Sequence, residues 1–165
     1  MTSWIEFEQR QPQLAAAGRR LLYDNRSIAL AFLATVGGDG APRVHPVCPV
    51  LGPKGLHVLI LAGPKQRDLL RDGRYALHSE TCPPPHEEDG LFLAGRARRV
   101  GDAGVERSVR DLLRAERGGE VWPSFEEDLL FELGVERCLV TLTVAGDDGL
   151  PAGGTVWRAD RAEEA

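Results

Sequence analysis

Cysteine is scarce in this chain of 165 residues: only Cys48, Cys82 and Cys138, an odd number at wide spacing. That excludes a disulfide framework and makes a reducing, cytoplasmic setting the expectation. Long apolar runs are missing too, so no segment reads as a membrane-spanning helix, and the opening MTSWIEFEQRQ lacks the basic-then-apolar order of a signal peptide. A basic excess is also lacking. Lys and Arg number 20 against 25 Asp and Glu, a net charge of −5, which argues against nucleic acid as the main partner. There is no internal repeat, no glycine-rich dinucleotide or Walker pattern, and no Gly-x-Ser-x-Gly elbow. What is present is ordinary for one globular domain with a real core: 42% hydrophobic and 27% charged residues.

Apolar patterning supplies the elements. PQLAAAGRRLLYDN predicts a helix with Pro12 near its start and Leu14, Ala17 and Leu21 on one stripe. IALAFLATV (28–36), PRVHPVCPVL (42–51) and LHVLILA (56–62) predict three strands, and the short Gly-rich turns GGDGA and GPKG between them predict an antiparallel meander. GPKQRDLLRDG predicts a short helix opening at Pro64 and stopped by Gly73; YALHSE and GLFLAGRARRV predict two more strands around the proline-rich CPPPHEEDG. DAGVERSVRDLLRAE predicts a helix capped by Asp102. SFEEDLLFELG, with Ser124 and Glu127 at capping-box spacing and Gly134 as terminator, predicts another. RCLVTLTV and TVWRAD predict the closing strands. The expectation is one mainly β (α+β) domain over 1–165: an N-terminal helix (1–24), a barrel core (28–100), a helical insertion (102–134) and closing strands (137–160), forming a small barrel with flanking helices.

Two places carry chemistry. On the second strand, alternation puts Arg43, His45 and Val47 on one face and Val44, Cys48 and Val50 on the other, with the second, apolar face expected in the core. Arg43 and His45 then share a face that suits an anion or a polarised ring, and equally suits solvent. After the third strand, a helix opens with Lys65 and Arg67 in its first turn. Unpaired backbone N–H groups and the positive end of the helix dipole already favour an anion there, so two cations in that turn build a phosphate seat. His45 is the one candidate for proton transfer near neutral pH. His78, Cys82 and His86 fall four apart, but three prolines between the last two oppose convergence on a metal, and none is expected.

In combination, L-A-T-V…D-G-x-P-R-V-H-P-V and the downstream K-x-x-D-L-x-x-D-G-R resemble the FMN-binding split-barrel family of pyridoxamine 5′-phosphate oxidase and its small bacterial relatives. The resemblance covers roughly residues 25–100. It implies a six-stranded antiparallel split barrel and a homodimer with two flavins in grooves between the subunits. Arg43 and Lys65, helped by Arg67, would hold the flavin phosphate. Backbone of Val44, His45 and Pro46 would pass the ring edge, with Pro46 donating nothing. Leu61 at the end of the third strand belongs to the same set, and Trp157 and Arg158 on the last strand would reach the partner's flavin, Trp157 equally suiting a place in the core. The implied activity is hydride transfer to or from a small substrate by FMN, with a deazaflavin reductase or a non-catalytic flavin- or haem-binding protein as alternatives on the same fold. The resemblance stops short of vitamin B6 oxidation: Cys48 replaces a lysine of the oxidase, and VWRADRAEEA lacks the Arg-x-His-Asp/Glu-Arg segment that holds pyridoxamine phosphate.

Overall fold

A computed structural model describes residues 1–24, 26–80, 88–119 and 128–159. The chain begins with two helices where a single one was expected. Ser3 and Glu6 close a capping box on α1 (Trp4–Arg10), and Pro12 opens α2 (Pro12–Tyr23) directly after Gln11. Trp4 and Phe7 are buried and meet edge-to-face at 5.3 Å, so this short helix is held by its aromatic side chains and not by helical propensity.

The strands are β1 (Ala31–Val36), β2 (Pro42–Val47), β3 (Val50–Gly52), β4 (Gly55–Ile60), β5 (Arg74–Ser79), β6 (Gly90–Arg99), β7 (Leu129–Leu133), β8 (Arg137–Leu142) and β9 (Gly153–Arg158); α3 (Pro64–Arg71) lies between β4 and β5, and α4 (Ala103–Glu116) between β6 and β7. The strands follow the order β2-β1-β5-β6-β7-β4-β3, with β8 on β6 and β9 on β8, every pair antiparallel. β6 spans both halves of this split barrel. Its first part pairs with β8 and its last three residues with β7. Gly95 sits at the changeover, where a Cβ would fall 2.0 Å from the Gly134 carbonyl oxygen; only a glycine lets the turn after β7 lie against β6.

Nine strands among the described residues replace the six of the resemblance, and two departures from the sequence expectations account for the difference from the seven runs read there. The run 42–51 is two strands, because the chain turns at Cys48–Pro49 and carries β3 away from β2 to the opposite end of the sheet order. The helix expected over 124–134 is also corrected: its last five residues before Gly134 are β7. Leu130, Phe131 and Leu133 are buried there, and the strand fills the gap between β4 and β6, so tertiary pairing overrides the helical pattern. Ser124 and Glu127 lie outside the described residues. The Asp102 cap holds as expected, its side chain accepting from the N–H groups of Gly104 and Val105 at 2.8 and 2.9 Å.

The main core lies between α1, α2 and the inner faces of the strands, with Leu33, Leu56, Leu77, Leu91 and Leu93 at its centre. A smaller core under α4 gathers Val50, Val109, Leu113 and Leu130. Among the described residues, no helix is long and apolar enough to cross a membrane.

Candidate functional site

The strand that raised the question of an anion, β2, is an edge strand paired only with β1. Its faces are the reverse of the sequence expectation. Val44 is 60% exposed, whereas Arg43 and His45 are half-buried and Val47 is buried. Both Pro42 and Pro46 lack an N–H for the ladder, so their nitrogens must face the free edge, and alternation places the Val44 N–H beside them. A ligand lying along this edge therefore meets the Val44 N–H and, from the same residues, outward carbonyls. The His45 N–H belongs to the ladder side. The His45 ring is half-buried, and its Nε2 is buried without a hydrogen-bond partner among the described residues.

The helix start is built as its sequence implies. Gly63 adopts φ 154°, ψ −168°, a conformation reserved in practice for glycine, and turns the chain from β4 into α3. Pro64 occupies the first helical position, and no side chain caps the first turn. Gln66 is buried and its Nε2 donates to the Ile60 carbonyl at 3.1 Å, fixing the helix start against the end of β4. Lys65 is half-buried, and among the described residues its ammonium has no hydrogen bond or ion pair. Burial lowers its pKa. A partly desolvated cation beside the free N–H groups of a helix start favours an anion.

Arg43 is not free to serve that anion alone. Its Nε donates to Asp68 Oδ2 at 3.0 Å, and the same oxygen accepts from Thr35 Oγ1 at 3.0 Å. Arg71 approaches Asp68 Oδ1 at 3.5 Å through Nη1 and donates to the Val36 carbonyl through Nη2. Burial alone would raise the Asp68 pKa, but the hydrogen bonds from Arg43 and Thr35 and the charge of Arg71 together hold it below the ordinary carboxylate value. Asp68 stands in the motif K-x-x-D-L that signalled the helix, yet nothing in sequence told that its carboxylate would be buried beneath Arg43. Thr35, 33 residues earlier, gave no sign at all.

The other expected site residues are scattered. Arg67 is exposed and lies two residues on from Lys65, about 200° round the helix. Leu61 is exposed just past β4. Trp157 packs on Phe7 with ring centroids 5.0 Å apart, on the inner side of β9, and Arg158 points to the outer side. In the sheet order β1, β5, β6 and β8 lie between β2 and β9, which carries Arg158. His78 is an exposed outer-face residue of β5; Cys82 and His86 lie outside the described residues.

No protein-family model matches this chain, and no curated protein resembles it in sequence. Solved structures do resemble it in shape. The haem storage protein HutZ from Vibrio cholerae is 21% identical, with 76% of this chain covering 89% of that one at a TM-score of 0.60. ChuZ from Campylobacter jejuni is 10% identical at a TM-score of 0.67; 96% of this chain is covered but only 61% of ChuZ. An FAD-binding protein from Mesorhizobium loti is 18% identical, with coverage of 73% and 88% and a TM-score of 0.56. At such identities the likeness is one of fold. The chain is a split barrel of the shape that HutZ, ChuZ and this FAD-binding protein share.

Proposed function

We propose that this protein binds a flavin nucleotide, with the ring along the free edge of β2 and the phosphate at the start of α3. The observation that carries this is Lys65: a half-buried ammonium without a counter-charge among the described residues, at an uncapped helix start that Gly63 and Gln66 hold in place. The residues fit the group. Lys65 and Arg43 supply positive charge for the phosphate, and the Val44 N–H faces the edge where ring acceptors would lie. A bound flavin supplies hydride chemistry of its own. The groups of this chain that meet it are cations and backbone, and Asp68 is held ionised by its partners, so retention of the cofactor is better supported than turnover. The expected FMN oxidoreductase would need a substrate site in addition.

The cofactor groove is completed, in this proposal, by a second copy of the chain. Pro46, Phe32, His78, Phe92, Leu139 and Val156 are successive Cα partners across six strands on the outer face. The next row carries Val44, Ala34, Ala76 and Ala94 before ending in Arg137 opposite Arg158. Phe32 is 46% exposed and Val156 55%, an apolar sheet face of the kind that marks an interface. Arg137 and Arg158 face each other directly, with no ion pair to either among the described residues. Like charges so placed repel, and an anionic cofactor carried by the partner would relieve them.

One observation favours haem as a second reading. His78 Nδ1 lies 2.7 Å from the Ser79 carbonyl, which can only accept, so Nδ1 carries the proton and Nε2 keeps its lone pair between Phe32 and Phe92 in the outer row. That is the tautomer an iron ligand needs. Haemin added to the protein would then give a Soret band that His78→Ala abolishes.

The flavin reading is tested by comparing FMN with riboflavin, which lacks the phosphate. Lys65→Ala should weaken FMN roughly tenfold to a hundredfold, as expected for one charge-assisted contact of about 1.5–3 kcal/mol, and leave riboflavin unchanged. Equal FMN affinity in the variant places the phosphate elsewhere.

A further inference from the structure

Asp68 is 4% exposed, and a carboxylate so buried is costly unless its partners are well placed. Its partners are unusual in arrangement. The two arginines that it holds remain 41% and 45% exposed in their side chains, so the carboxylate lies beneath and the guanidinium groups lie towards solvent. Arg43 is gripped by Nε, the nitrogen nearest its stem, and among the described residues its Nη1 and Nη2 make no hydrogen bond. Those are the nitrogens that form the fork for phosphate. Lys65, Asp68 and Arg71 are spaced three apart on α3 and so follow one stripe of the helix, next to the point where Arg43 arrives from β2.

We propose that Asp68 is a positioning residue for an anion: it fixes Arg43 by Nε so that the free end of the guanidinium is presented beside Lys65, and it sets the charge of the seat. This rests on the flavin-nucleotide proposal above and goes further, because it names the residues that orient Arg43 and set the charge of the seat. Three cations (Lys65, Arg43 and Arg71) against the one buried carboxylate leave a charge of +2, the complement of a terminal phosphate monoester in its dianionic form. Thr35 is the second anchor: its hydroxyl holds the Oδ2 atom that receives Arg43. A merely structural ion pair would stabilise the fold without favouring a phosphorylated ligand over an unphosphorylated one.

The test is the ratio of riboflavin to FMN dissociation constants, measured by quenching of flavin fluorescence. Asp68→Asn keeps the size of the side chain and removes the charge that grips Arg43. The ratio should fall at least fivefold, with riboflavin affinity unchanged. Arg43→Ala should lose much less in the Asp68→Asn background than in the wild-type chain, because the two act as one unit. Should Asp68→Asn fail to fold, Thr35→Val is the second variant; it keeps the charge, loosens its anchor, and should lower the ratio about threefold. Unchanged or tighter FMN binding in folded Asp68→Asn, or additive effects of the two substitutions, overturns the positioning role while leaving the seat at Lys65 intact. A wild-type chain that binds FMN no better than riboflavin overturns both.

Discussion

His57 shows how the sequence can place a single residue without giving its depth. LHVLILA puts it on the third predicted strand; on β4 it is 2% exposed, with Val50 and Glu132 as Cα partners. Among the described residues its Nδ1 has no partner, and it lines a crevice beside Lys54 and Ser108 with room for about one water molecule. Burial lowers its pKa, against opposing effects from the Gly55 backbone and the Glu132 charge. The unfolded chain therefore takes up a proton first as pH falls. Stability from this site is complete above the ordinary value of 6.5 and drains away below it, towards the lower folded pKa. The urea midpoint of the wild-type chain should fall between pH 7.5 and pH 5.5, and His57→Leu should flatten that fall. An equal fall in both would place the pH sensitivity on other groups. The candidate site was legible to the same degree. Lys65 and Arg43 announced themselves because cations at a helix start and on a proline-flanked strand need a reason. Asp68 and Thr35 did not, because contacts between positions 33 and 25 residues apart follow from the packing of α3 on the sheet and leave no local mark.

At the level of elements, alternation and turn chemistry disclosed most strands, and they failed where tertiary packing decides. LLFEL carries apolar residues that fit one face of a helix as well as a strand, and a capping-box spacing ahead of it tipped the balance the wrong way. Only the unpaired edges of β4 and β6 make it β7. PRVHPVCPVL likewise pointed to the wrong side of β2 for burial, because valines occupy both faces; the helix α3 on the inner side, drawing Arg43 to Asp68, decides it. Gly95 tests this arrangement. A Cβ 2.0 Å from the Gly134 oxygen cannot be accommodated by a side-chain movement, since the obstacle is backbone, so β7 must shift off β6. Gly95→Ala should cost about 2–4 kcal/mol in chemical denaturation, towards the upper end of single substitutions. A loss below about 0.5 kcal/mol would mean that the turn at Gly134 is not pressed against β6.

On the scale of the molecule, the proposed pair of copies enclosing two flavin nucleotides would account together for an edge strand that offers its free side, a helix start that favours an anion and an exposed apolar outer face. Phe32 lies in the apolar row and is already largely solvent-facing in the single chain, so Phe32→Asp should leave the barrel folded. In light scattering, the wild-type chain should appear at twice its 18.0 kDa and the variant at 18.0 kDa. A variant that remains at twice the mass would move the interface away from this face. The most direct measurement on the central claim is a titration of the wild-type protein with FMN and, separately, with riboflavin, followed by flavin fluorescence. Saturation at one FMN per chain, at least tenfold tighter than riboflavin, is the predicted result. Equal affinity for the two, or no binding of either, would contradict a phosphate seat at Lys65 and with it the proposed function.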